Sequence, residues 1–430
     1  MYNKKMANRA LIIAVLISLC AGFQYCWSLL GKSIIAEYGW TATQASLPYT
    51  VLTIVTSIWA IFAGRIGENR APRGIIAFGG ICMGLGLIIS SRTQSPVVMI
   101  VSVGVLLGLA STSITANTHP TVVKWWPADK KGFVVGACTM GMGLSSLYMA
   151  PVINGLLGKV GISNTFMVLG IAAIVLICLL SALFPISPVA KAHLARKKAE
   201  RSGQPIQQTA EEIAVAEAAA KKMDEEDQNT IYKNTIQSTG ALKTKEFWII
   251  CLIYIACWMP GQMITSAVAN ICSVQGHWEG GFVAVMAMAV GNGVGRLCSS
   301  TISDKLGVVK TYRVLFALQA LNMVLFSFYR TPVLLVIGTV ILGFIVGSGV
   351  PLQIILTAQV YGRKYIGSIN GMVQPAFGVA GFAGPVIAAT ILDATGTYNM
   401  SYIFNAIVLV VGLFLTWMIK EQPKTKAAVG

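Results

Sequence analysis

The chain has 430 residues, 55% of them hydrophobic and only 11% charged, with a mean hydropathy of +0.70. A water-soluble protein of this length needs far more charge to cover its surface, so a soluble globular fold is excluded. The formal net charge of +16 would suit nucleic acid, but the Lys and Arg residues sit in short segments between apolar runs, where they act as topology signals.

Apolar runs of roughly 20 residues cross the hydrocarbon core as helices, because lipid offers the backbone no hydrogen-bond partners. Continuous runs, rather than alternation at period two, select helices over a barrel. In chain order the runs predict helices near residues 10–30, 43–63, 75–91, 97–123, 133–157 and 165–184. Six more follow near 247–273, 282–302, 312–328, 333–359, 366–392 and 402–419. No charged leader with a small-residue cleavage site precedes the first run, which reads as a retained helix. The expected fold is an all-α membrane protein of twelve transmembrane helices in two six-helix repeats. Residues 1–189 form the first bundle, 190–245 a hydrophilic cytoplasmic linker, and 246–430 the second bundle.

The loops alternate in charge. One side carries Arg65, Arg70 and Arg73; Lys124, Lys130 and Lys131; Lys305, Lys310 and Arg313; Arg363 and Lys364; and both terminal segments. The other side carries isolated bases such as Lys32, Arg92, Lys159 and Arg330. The positive-inside rule then places both termini in the cytoplasm and the chain in the inner membrane. The halves also echo each other. Gly64, Glu68 and Arg73 follow the second helix as Ser303, Asp304, Lys305 and Gly307 follow the eighth. Gly132 and Gly136 lead to Ala150-Pro151 as Gly367 and Gly371 lead to Gly384-Pro385. Such repeats, with a substrate site between them near mid-membrane, build many secondary transporters.

Arg296 is the sharpest chemical feature. It lies eight residues before Asp304, ~12 Å along a helix and hence near mid-membrane. An arginine at that depth costs at least ~2.5–3.5 kcal/mol on insertion scales, which implies a polar cavity and a partner. No Asp or Glu falls inside a predicted helix away from its ends, so the natural partner is a transported anion. A planar guanidinium matches a carboxylate with two parallel hydrogen bonds. The competing reading is a structural arginine bonded to helix carbonyls or reaching toward the cytoplasm. Asn292, one turn earlier, is placed either to orient Arg296 and a substrate hydroxyl or to join helices. His119 is the one histidine inside a predicted helix, five residues before Lys124. It reads either as the carrier of a coupling proton or as a hydrogen-bonded helix-end residue. Gly291, Gly293 and Gly295 sit in an apolar helix with no strand–helix context, so they are no nucleotide loop. The nine cysteines are scattered without metal-ligand spacing. With no nucleophile–base pair and no ATP-binding loop in view, neither an enzyme nor an ATP-driven pump is expected, and no cofactor.

Taken with these residues, the sequence resembles the major facilitator superfamily over nearly its whole length. The segments after helices two and eight look like copies of its glycine–acid–base–glycine loop motif, with Glu68 where an aspartate is usual and Asn69 where a base is usual. Within it, the closer resemblance is to the oxalate/formate antiporter family and its bacterial monocarboxylate-transporter relatives. Three stretches carry it: Gly22-Phe23-Gln24-Tyr25-Cys26-Trp27-Ser28-Leu29, the run from Lys124-Trp125-Trp126-Pro127 to Gly132, and Arg296 seven residues before Ser303. The resemblance implies that Arg296 binds carboxylate and that Gln24 and Tyr25 are site residues. It also implies a second cation in helix eleven for dicarboxylate exchange, but Phe377 stands there, with Gln374 a turn away as a neutral donor. In helix ten Val346 and Val350 occupy the positions of an aromatic cage.

One fixed positive charge balances one carboxylate. The expected function is therefore a secondary transporter of small monocarboxylates (formate, lactate or pyruvate type), working by alternating access as a monomer. Coupling is either anion exchange or symport with a proton. An oxalate/formate-type dicarboxylate antiporter is one alternative, and a membrane ligand sensor without turnover another.

Overall fold

The computed structural model describes residues 4–69, 72–123, 125–126, 131–186, 218, 238–361 and 366–419. Nearly all of 190–245, and Arg70, Lys124, Lys130, Arg363 and Lys364, lie outside the described residues, as do the side chains of Gly64, Arg65 and Glu68. Eleven described stretches are long and apolar enough to cross a membrane. One of them, Val134–Leu183, is 50 residues long. That is ~75 Å of helix against a hydrocarbon core of ~30 Å, too much for one crossing.

Gly161 divides it. Its φ of 73° and ψ of 174° break the helix in a backbone conformation that glycine tolerates and side chains resist. Beyond Gly161 the chain runs back along its neighbour: Ser163 Oγ donates to the Ser91 carbonyl, and Ser181 Oγ to the Arg73 carbonyl at 2.6 Å. Among the described residues the crossings are thus twelve. The first six are α1 (Lys4–Tyr38), α2 (Ala42–Asn69), α3 (Pro72–Ser90), α4 (Pro96–Val123), α5 (131–160) and α6 (162–183). The second six are α7 (Lys245–Gly276), α8 (Gly281–Leu306), α9 (Val308–Phe326), α10 (Pro332–Tyr361), α11 (Ile366–Thr395) and α12 (Asn399–Met418).

Apolar side chains such as Ile12, Val101, Leu321, Phe328 and Phe414 face outward, while Gln262, Gln275, Asn292, Gln319 and Asn405 are buried. This reverses the arrangement of a water-soluble protein and suits a molecule whose surroundings are lipid. Two helices are irregular where they meet. Helix α1 tightens to a 3-10 turn at Gly22–Cys26, and α5 breaks at Leu144. Ser145 Oγ donates to the Gly22 carbonyl at 3.0 Å, and a Cβ at Gly22 would lie 1.9 Å from that hydroxyl.

Several boundaries differ from the sequence reading: α1 begins at Lys4, and α2 runs on to Asn69, so the backbone of Gly64, Arg65 and Glu68 is helical rather than a loop. Two more matter for the site. Helix α1 continues eight residues past Leu30, so Lys32 is a helix residue rather than a loop base. Helix α8 continues to Leu306 and takes in Ser303, Asp304 and Lys305, ending at Gly307 with φ 86°. In both places polar side chains reach toward the interface while the backbone stays helical, so hydrophilicity alone marks the loop too early.

The two sets of six meet through α1 with α7, α2 with α11, and α5 with α8. A repeat relating α2 to α8 and α5 to α11 exchanges the last two pairs, as the echoed landmarks require. Call the end bearing Arg73 and Lys305 the basic end and the opposite one the far end. Among the described residues, the hydrogen bonds joining the sets run from mid-membrane to the far end. Lys32 pairs with Glu279, and the Asp393 carboxylate accepts from the Ala42 and Thr43 amides at 2.9 Å each and from Thr43 Oγ1 at 2.5 Å. Tyr49 Oη donates to Gln262 Oε1 at 2.5 Å. Toward the basic end, a Cβ added to Gly136 of α5 or Gly371 of α11 would meet nothing within 4 Å.

Candidate anion site

Arg296 lies on the inward face of α8 and is 6% exposed, whereas its neighbours Val294 and Leu297 face out. Its Nε donates to Asn292 Oδ1 at 2.7 Å, the i, i+4 spacing placing both on one helix face. Its Nη2 donates to Tyr25 Oη at 3.2 Å. Tyr25 sits in the 3-10 turn of α1, so the guanidinium is held from both sets of helices at their joint. Both acceptors are neutral. Among the described residues the one ion pair is Lys32 with Glu279, so no carboxylate balances Arg296. Two of its five N–H donors are engaged by these contacts, which leaves a planar fork for a ligand.

The structure brings three of the sequence candidates, Arg296, Asn292 and Tyr25, into one hydrogen-bonded cluster. Gln24, beside Tyr25, is buried with its Oε1 unpartnered. Phe377 joins an aromatic wall: its ring lies edge-on to Trp258 of α7, centroids 4.8 Å apart, and Trp258 packs edge-on to Tyr254 at 6.0 Å. Tyr254 is within electrostatic reach of Arg296 and Tyr25. Trp258 Nε1 is buried without a hydrogen-bond partner. Gln374, three residues before Phe377, is half-buried on α11. Val346 is committed to packing, since a Cβ at Gly261 would meet its Cγ2 at 2.3 Å.

His119 Nε2 is 3.2 Å from Ser18 Oγ, joining α4 to α1, and the ring lies within electrostatic reach of Arg296. The loop-motif residues lie elsewhere. Arg73 Nε donates to the Phe184 carbonyl at 2.8 Å, pinning the end of α6, and Asp304 and Lys305 are exposed in the last turn of α8. Trp258, Tyr254 and Gly143 escaped the sequence reading. An i, i+4 aromatic pair before Pro260-Gly261 was the available signal for the first two; Gly143 had none. Among the described residues, no group of three His, Cys, Asp or Glu could hold a metal ion.

A deep cation held by neutral hydrogen bonds at the joint of two six-helix sets marks a multi-pass membrane protein with a polar centre between its halves. The model described as Major Facilitator Superfamily matches residues 11–321 and 279–430, and the chain belongs to that superfamily. It is 23% identical to the oxalate:formate antiporter of Oxalobacter formigenes, over 97% of this chain and 95% of that one. It is 23% identical to the probable nitrate transporter NarT of Staphylococcus carnosus, over 99% of both chains. With monocarboxylate transporter 12 of Rattus norvegicus it shares 21% identity over 96% of this chain and 85% of that one. These relatives are transporters, not enzymes, and they support a transporter role here.

Proposed function

We propose that the chain carries small monocarboxylates across the inner membrane by alternating access, with Arg296 as the anchor for the carboxylate. The observation that carries this reading is a buried guanidinium whose contacts, Asn292 and Tyr25, are both neutral. A charge so placed is costly when the cavity closes around it empty, and an anion removes that cost. The loaded carrier therefore reorients more readily than the empty one, which favours exchange of one anion for another. Symport of the acid with a proton is the second mode, and His119, within electrostatic reach of Arg296, is the candidate proton carrier for it.

The substrate class follows from the wall opposite. Phe377, packed edge-on with Trp258, stands where the resemblance implies a second cation, so one carboxylate is balanced and two are not. The kinship with an oxalate:formate antiporter keeps dicarboxylate exchange as the alternative. Gln24, Gln374 and Asn292 supply neutral hydrogen-bonding groups for the rest of the substrate. With the basic end in the cytoplasm, the inter-set bonds at the far end correspond to an inward-facing state.

Purified protein in liposomes, loaded with unlabelled acid and given labelled formate, lactate, pyruvate or oxalate outside, tests the reading. Faster uptake into acid-loaded than empty vesicles supports exchange. Uptake driven by an imposed proton gradient into empty vesicles supports symport. Oxalate uptake exceeding that of all the monocarboxylates would overturn the substrate class.

A further inference from the structure

Asn292 and Arg296 are pressed against the other set of helices at a single glycine. A Cβ built on Gly143, the last residue of the first segment of α5, would lie 2.5 Å from Asn292 Oδ1 and 3.2 Å from Arg296 Nε. Those are the two atoms of the 2.7 Å hydrogen bond that orients the guanidinium. Any side chain at 143 must displace the acceptor from its donor. One residue on, the fit reverses: Leu144 fills the space left by Gly293, where a Cβ would meet Leu144 Cδ2 at 2.8 Å. Knob and hole thus alternate across the α5–α8 joint, and the hole at Gly143 is filled by the Asn292–Arg296 pair.

We infer that Gly143 is a positioning residue for Arg296: its missing side chain lets Asn292 hold the guanidinium across the joint with its fork toward Tyr25. The inference rests on reading Arg296 as the anion anchor, and it adds that the anchor's pose is set by a backbone position on the opposite set. Gly136, seven residues earlier on the same helix, is the natural control, because a Cβ there meets nothing within 4 Å.

The test needs no knowledge of the physiological substrate. Purified protein is treated with phenylglyoxal, which modifies arginine, and adducts on the Arg296 and Arg92 peptides are followed by mass spectrometry; Arg92 lies exposed at the far end. Gly143→Ala should raise the Arg296 rate relative to Arg92 roughly tenfold, the equilibrium equivalent of about one net hydrogen bond. Gly136→Ala should leave it unchanged. Asn292→Ala should raise it similarly, and Gly143→Ala added to Asn292→Ala should do little more, because both act on one contact. Equal rates in Gly143→Ala and wild type, or additive effects in the double variant, would overturn the inference. If Gly143→Ala alone fails to fold, recovery of folded protein in the double variant supports the clash, and failure of both counts against it. Protection of Arg296 by added formate or lactate is read separately. Its absence with the variant pattern intact would remove the anion anchor and leave the positioning role.

Discussion

Arg296 was legible in the sequence because a charge inside an apolar run is costly without a partner, and Asn292 followed from helical spacing alone. Tyr25 entered through a resemblance, and its hydroxyl lies 3.2 Å from Arg296 Nη2. Gly143 and Trp258 left no such trace. Their significance lies in contacts with residues more than a hundred positions away, and a glycine or a tryptophan in an apolar helix is ordinary in itself. At this scale the proposed substrate class turns on residue 377. Phe377→Lys should introduce oxalate as a competitor of labelled monocarboxylate uptake, by supplying the second cation that the proposed site lacks. Unchanged insensitivity to oxalate in a folded Phe377→Lys protein would show that the wall at Phe377 does not set the charge of the cargo.

The twelve helices were readable from apolar runs and basic loops, whereas helix ends were misplaced wherever polar residues continue a helix toward the interface. The turn at Gly161 was anticipated only as a gap between apolar runs. Gly161→Ala forces a side chain into an extended, positive-φ backbone that is almost confined to glycine and should cost about 1–3 kcal/mol, seen as a lowered melting temperature in detergent. No loss of stability would mean that the α5–α6 reversal relaxes freely. Nothing local announced the far-end latch, because Asp393 and Glu279 each meet partners on the other set. Behind it lies a cavity of ≈ 20 Å³ lined by Ser28, Lys32, Ser46 and Ser266. Asp393→Asn and Glu279→Gln should each weaken the latch and raise labelling of Ser46→Cys by an impermeant maleimide severalfold, about the worth of a helix cap or exposed charge pair. Unaltered labelling would show that these contacts do not hold the far end shut.

The Glu279 carboxyl is held below its ordinary value of 4.5 first by its hydrogen bond to Lys32 and then by that from Ser273. A depressed carboxyl contributes to the closed form at pH above that ordinary value and loses the contribution as pH falls through the lowered one. Labelling of Ser46→Cys, taken relative to an exposed reference cysteine to cancel the growing thiolate fraction, should therefore be flat from pH 6 to 8 if Glu279 is the only titrating member of the latch. A rise relative to that reference within the interval would assign the latch to another group.

Among the described residues, hydrogen bonds join the two similar sets of helices from the guanidinium outward to the far end. Rocking about α2–α11 and α5–α8 would break the Lys32–Glu279, Thr43–Asp393 and Tyr49–Gln262 contacts and carry Arg296 from one face to the other. On the proposed reading, a bound anion removes the cost of moving that buried charge. The most direct test is exchange of labelled monocarboxylate in liposomes containing Arg296→Gln protein, folded by the criterion of its melting temperature. The account predicts a fall of roughly 30-fold or more in transport efficiency, the cost of truncating one partner of a buried charge pair. Exchange at the wild-type rate would contradict it.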